Sequence, residues 1–455
     1  MKFVLVAVVF LLTYPAGRFA KVRPTLQAVF AMFVGFLPFV GIDQLDIDFW
    51  GVEHYRGESA GFEITLTDFA VLALYFSLPD ERHGPVPWRF PRYFYMAVLL
   101  FSIGAAAMPL YSWFSVWKLV RAYFLFAVVF RAIESNPRIA SWLADGFGVG
   151  LLYALGVSLH QRYVEGLYQA TGDFDHQNTL GMTVNLVFPI AWAVVLAGQS
   201  RIWGTILTIV GGVLVVMTLS RGTLALYSLA AGIVLVGTFF RGVTRWKLVV
   251  LGLMVVAGCV VLAKSHDSII DRFTQAPEGS ELARERFNGA AAAMLDDHPL
   301  GIGINQYSHV LEHHGYAEEF GMPEIDKDAV AHHIYWLTLA ELGWVGLVAY
   351  VLLLFAVWWT ALKGTLRMRG DIRGDVILGC FAGLTAMYVH GNFEWVARQT
   401  PMTYLFFAVA GMTAALYKQW SQEQRVGEAV EEAAIAALER KRPKEATRIE
   451  AVEPP

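Results

Sequence analysis

Apolar runs of bilayer-spanning length follow one another along most of this chain, at 3–17, 25–41, 64–78, 93–109, 113–130, 141–160, 179–197, 203–219, 222–240, 248–263, 335–362, 375–391 and 401–418. Hydrocarbon offers no partner to a free backbone N–H or C=O, so each run is expected to be an α-helix. Twelve or thirteen transmembrane helices result. One long polar island, from about Ala263 to Val330 and rich in Arg and His, interrupts them. The connections alternate in side, and the basic ones, Arg18/Lys21/Arg23, Arg82/Arg89/Arg92, Arg131/Arg138, Arg201, Arg241/Arg245/Lys247 and Lys363/Arg367/Arg369/Arg373, all fall on one face. By the preference of cytoplasmic loops for Lys and Arg, that face is the cytoplasm. The other face collects Asp43 to Glu63, Gln161 to Asn178, the turn at Ser220-Arg221-Gly222, the island, and the His390 to Pro401 connection.

Composition supports this fold class, an all-α polytopic membrane protein. Hydrophobic residues make up 56% of the 455 positions and charged residues only 16%, a balance foreign to an ordinary soluble domain. The net charge of −4 matters less than where the charges fall. Cys259 and Cys380 both lie in apolar runs, so neither a disulfide framework nor a cysteine metal site is expected. The first run resembles a signal peptide, yet Tyr14-Pro15-Ala16-Gly17-Arg18 offers no small-x-small cleavage site, which points to a retained helix. The expected organisation is a transmembrane bundle over 1–263, an outer loop over 264–334, three further membrane helices over 335–418 and a cytoplasmic tail over 419–455, whose stretch from Glu423 to Arg442 has helical tendency.

Chemistry on an external substrate belongs in water, so the outer face is where candidate residues are sought. Arg221, beside Gly222 at a helix boundary, can present a fixed fork of donors to a phosphate, although a snorkelling arginine would occupy the same place. In the island, Arg284 and Arg286 are two residues apart, so on a helix only one of them can share a face with a site. His298 precedes Pro299 and is expected in a turn. His309 and His313 have i, i+4 spacing, but the glutamate of the His-Glu-x-x-His arrangement is missing, so surface histidines are expected. His332 and His333 stand where the island re-enters the membrane, with Tyr335 following; a neutral imidazole there can take a proton from a hydroxyl. Two cationic forks and a base suit a diphosphate leaving group and an attacking hydroxyl. Lys118 and Arg121 lie within the predicted helix Trp113 to Phe130, where a cation faces the bundle interior or a polar head group. His390, Asn392, Glu394 and Arg398 fill the last outer loop and could order an acceptor or close a salt bridge. No paired carboxylates of the glycoside-hydrolase kind and no Asp-rich metal motif stand out at this face. A carrier for lipid-linked glycans would also need buried cations, but near the bilayer midplane and on repeat-related broken helices.

The order Asp175-His176-Gln177-Asn178, Ser220-Arg221-Gly222, Arg284 ahead of Asp297-His298-Pro299-Leu300-Gly301-Ile302-Gly303, then His332-His333-Ile334-Tyr335 with Ala340-Glu341-Leu342-Gly343 resembles the bacterial O-antigen ligase and polymerase superfamily. The resemblance covers roughly Tyr163 to Leu354. It implies a helical, GT-C-like inner-membrane glycosyltransferase with a large periplasmic loop. Such an enzyme transfers a glycan from undecaprenyl diphosphate to an acceptor hydroxyl, with inversion and with no metal or other cofactor. Carried over by position, Arg221 and Arg284 would hold the diphosphate and His332 would be the base. Asn178, Arg286, His333, Tyr335, Lys118 and Arg121 are further substrate-binding candidates. Arg286 is a second choice for the loop arginine, and His333 stands where the family usually has Asn. The implied partners are the lipid-linked glycan donor, lipid A-core or another glycan as acceptor, and the bilayer, with no nucleic acid. A ligase is the expected member, with a polymerase or a protein O-oligosaccharyltransferase as alternatives.

Overall fold

The computed structural model describes residues 2–41, 47–52, 54–80, 84–274 and 278–449. Every apolar run of the sequence is a helix. They are α1 (Lys2–Ala20), α2 (Pro24–Phe36), α3 (Leu66–Phe76), α4 (Arg89–Ser102), α5 (Pro109–Ser135), α6 (Ile139–Tyr163), α7 (Gln177–Leu196), α8 (Arg201–Thr218), α9 (Arg221–Phe239) and α10 (Arg245–Thr274), followed after the island by α14 (Ile334–Arg367), α15 (Ile372–His390) and α16 (Thr400–Ile449). The island contributes α11 (Glu278–Asp297), α12 (Tyr307–His313) and α13 (Tyr316–Glu319).

Seven helices among the described residues, α6 to α9 and α14 to α16, are long and apolar enough to cross a bilayer alone. The runs at 25–41, 64–78 and 93–109 yield α2, α3 and α4, of 13, 11 and 14 residues. At 1.5 Å per residue α3 reaches only about 16 Å, roughly half a hydrocarbon core. Hydropathy reports burial whether lipid or protein supplies it, and α3 buries most of its length against α1, α2 and α5. The outer segment before α3 also holds a departure from purely helical structure. There β1 (Ile47–Gly51) pairs antiparallel with β2 (Gly61–Ile64), Ile47 opposite Ile64 and Gly51 opposite Gly61.

The bundle is centred on α7, the most deeply buried of the seven spanning helices, which packs on α8, α9 and α15. Gly379 and Gly383, four apart on α15, let that helix come so close to α7 that an added Cβ would strike the backbone of Ile190 and Leu186. Without a hydrophobic drive between helices in lipid, such close backbone approach is what holds them together. Apolar side chains such as Ile202, Ile209, Val236, Leu253, Val348 and Phe355 are left exposed, as expected of a surface solvated by lipid tails.

The island has its own small core of Phe287, Met294, Tyr307, Leu311, Tyr316 and their neighbours. It docks on α14 at a break. Gly343 (φ 64°, ψ −170°) interrupts the helix, and the Asp297 to Gly303 turn fills the gap. Ile302 N–H donates to Ala340 O (3.0 Å) and Gly303 N–H to Glu341 O (2.9 Å), so the turn satisfies carbonyls near the break. Gly301 (φ 88°) and Gly343 face each other's chains at distances that leave no room for a Cβ. His298 sits in this turn, its carbonyl accepting from Gly301 N–H (2.7 Å).

Candidate active site

Two helix N-termini, one helix C-terminus and one island helix converge at the end of the bundle that holds the island. His176 is the N-cap of α7, its Nδ1 accepting from Asn178 N–H (3.2 Å). Ser220 caps α9, its hydroxyl accepting from Thr223 N–H (3.3 Å). At the end of α15, the carbonyl of His390 accepts from Phe393 N–H (2.9 Å) and Glu394 N–H (3.1 Å), which turns the chain back toward α7. Together with α11 these enclose a cavity of about 860 Å³. Arg221, Arg284, His332 and Asn178 line it, with His176, His390 and Glu394.

Glu394 is the hub. Its side chain is 2% exposed and bonds three of the residues singled out from sequence. Asn178 Nδ2 donates to Oε1, Arg284 pairs with Oε1 at 3.3 Å, and His332 Nδ1 lies 3.1 Å from Oε2. An ionised carboxylate only accepts, so this contact places the Nδ1 proton on His332 and leaves Nε2 as the free lone pair. The edge of Phe287 packs on the ring, centroids 5.8 Å apart, and fixes its plane. Burial alone would raise the Glu394 pKa, but the hydrogen bond from His332 and the nearby imidazoles of His332, His390 and His176 hold it below the ordinary carboxylate value. Burial holds the His176 imidazole below its ordinary value.

The cavity is built for an anion. The N-terminal ends of α7 and α9 both line it, and each carries partial positive charge and unpaired N–H groups. Arg221 forms no side-chain hydrogen bond or ion pair with the described residues. Arg284 spends one nitrogen on Glu394, and its buried Nε has no hydrogen-bond partner among the described residues. Among the described residues no three His, Cys, Asp or Glu side chains are arranged to hold a metal.

Other candidates from the sequence lie elsewhere. Arg286, on the opposite side of α11 from Arg284, donates to Gly321 O (2.7 Å) and braces the island. His333 is the N-cap of α14, accepting from Trp336 N–H (3.3 Å), and burial lowers its pKa. Tyr335 donates to Tyr388 O (2.8 Å). Lys118 and Arg121 do not reach the cavity. Lys118 Nζ donates to Glu58 O and Arg398 O and pairs with the Glu58 carboxylate at 3.4 Å, while Arg121 pairs with Asp68 (2.8 Å) and Glu63 (3.4 Å). A desolvated cation must be neutralised locally, and Glu58, Glu63 and Asp68 do that here. His309 and His313 stack on one another, centroids 4.4 Å apart.

Residues 206–351 match the family model for the O-Antigen ligase. Over that stretch, which is less than half of the chain, the protein is similar to the O-antigen ligase family. The similarity supports a glycosyltransferase-like membrane enzyme. The O-antigen ligase region contains Arg221, Arg284, His332 and the break of α14 at Gly343, whereas His176, Asn178, His390 and Glu394 fall outside it. No curated protein matches the chain.

Proposed function

We propose that this protein is an O-antigen ligase of the bacterial inner membrane, which moves a glycan from undecaprenyl diphosphate to a hydroxyl of lipid A-core on the periplasmic side. The observation that carries the proposal is the pairing of His332 with Glu394 in the same cavity as Arg221 and Arg284. His332 Nε2 takes the proton from the acceptor hydroxyl as its oxygen bonds the anomeric carbon. The bond from that carbon to the diphosphate oxygen breaks, and its electron pair leaves with the diphosphate. Attack opposite the leaving group inverts the anomeric centre. Glu394 stabilises the imidazolium that forms, and the two arginines with the ends of α7 and α9 stabilise the charge that builds on the diphosphate.

The test is transfer by purified protein from a defined undecaprenyl-diphosphate glycan, with lipid A-core and a second donor molecule offered separately as acceptors. One glycan added to lipid A-core, lost in His332→Ala, supports the ligase. A ladder of lengthening lipid-linked chains makes the protein a polymerase instead, and transfer to neither moves protein glycosylation or glycan transport forward.

A further inference from the structure

A second cavity, of about 370 Å³, lies behind the first. Consecutive residues divide between them: Asp175 and Trp395 line the second cavity, while His176 and Glu394 line the first. Adjacent Cα atoms are about 3.8 Å apart, so the two cavities adjoin along these segments.

Charge sorts what each can hold. The first cavity has two arginines and three histidines in its wall beside two carboxylates, Asp326 and Glu394. The second has no Lys, Arg or His among its lining residues and four carboxylates, Glu58, Glu63, Asp173 and Asp175. Glu58 is neutralised by Arg398 and Lys118, and Glu63 shares Arg121 with Asp68. Among the described residues Asp173 accepts only from uncharged donors, Gly41 N–H and Tyr153 O–H, and Asp175 has no ion-pair partner. Such a wall repels a diphosphate and accepts hydrogen bonds from hydroxyl or ammonium groups. Trp395 offers an apolar ring face with a polar N–H, and that Nε1 makes no hydrogen bond to the described residues. Gln399 accepts from Thr179 through Oε1, and its Nε2 makes no hydrogen bond to them either. Carboxylates, unspent N–H donors and an indole face are the complement of a sugar.

We infer that the second cavity is the acceptor subsite and that it takes a neutral or amino sugar at the acceptor's receiving end, in preference to a phosphorylated one. This rests on the glycosyl-transfer reading above. The diphosphate lies on one side of the Asp175–His176 and Glu394–Trp395 segments and the receiving sugar on the other, with the attacking hydroxyl at their boundary, beside His332 and Glu394.

The experiment uses the full-length protein in detergent or nanodiscs, an undecaprenyl-diphosphate glycan donor, and acceptor glycans ending in a neutral sugar or in its phosphorylated analogue. For Trp395→Ala and Asp175→Asn, the acceptor KM is expected to rise about tenfold, the size of one lost pocket contact, with donor KM and kcat at saturating acceptor within about twofold of wild type. Trp395→Phe should recover most of the acceptor KM, and the phosphorylated acceptor should be the poorer substrate of the wild type. A rise in donor KM with acceptor KM unmoved, or a preference for the phosphorylated acceptor, overturns the subsite. If the wild type transfers to no acceptor, the glycosyl-transfer reading itself fails. Because Trp395 also packs on the island core, Asp175→Asn at the exposed rim decides the matter should Trp395→Ala not fold.

Discussion

Replacing Glu394 by Gln keeps the side chain's size and removes the charge that Asn178, Arg284 and His332 all use. Turnover is expected to fall on the order of a hundredfold, the low end of what a positioned acid–base group contributes. The hydrogen bond from His332 and the nearby imidazoles hold the Glu394 carboxyl below the ordinary carboxylate range, so the pairing is present above that range and is lost only as pH falls through the lowered value. His332→Ala should lose about 10²- to 10⁴-fold in kcat, whereas His333→Ala should cost only about 1 kcal/mol of stability, the worth of an N-cap, and Arg286→Ala should leave turnover near wild type. Arg221, Arg284 and His332 were legible because a cation or imidazole at the end of an apolar run is conspicuous. Glu394 read as one charge in a short loop, since its burial comes from the docking of α15 and α16 on α7. The signal available was density: His390, Glu394 and Arg398 crowd a turn too short for three solvated groups.

At the scale of elements, the break in α14 is the feature with the most at stake. Gly343→Ala would put a side chain at positive φ and drive its Cβ into Pro299 O. Strain of this kind costs about 1–3 kcal/mol, and the displaced turn would forfeit its bonds to Ala340 and Glu341 as well. Thermal unfolding in detergent should show a melting point several degrees lower, with activity falling in parallel because the turn seats the island; an unchanged melting point would mean that the break is not stressed. The thirteen helices could be read from sequence because each apolar run is a single uninterrupted pattern. The break could not, since Ala340-Glu341-Leu342-Gly343 reads as ordinary helix until the glycine-rich turn forty residues earlier is brought against it. The hairpin of β1 and β2 was hidden for a similar reason, its pairing being fixed by the surface it lies on.

Across the whole molecule, a buried charge cluster ties the outer segment, α5, α14 and the turn after α15 together. Arg398 pairs with Glu58 and, at 2.8 Å, with Glu341, while Glu341 Oε1 accepts from the N–H groups of Gln306 (3.0 Å) and Tyr307 (3.2 Å). Removing one partner of such a cluster strands the others in a dry interior. Arg398→Met is expected to cost about 3–5 kcal/mol, read as a loss of folded protein on heating or in denaturant, and adding Glu341→Gln should return part of it. If the single variant is as stable as wild type, the cluster is solvated and the argument fails. The contact between His332 and Glu394 has a different consequence, for how the protein is made. The ribosome delivers both arginines and the histidine long before the residue that aligns them, and Glu394 gains its place only once the helices on either side of it have entered the membrane. A chain halted short of that point carries the anion-binding groups with no shared acceptor between them, so catalytic competence arrives with the last helical hairpin to insert.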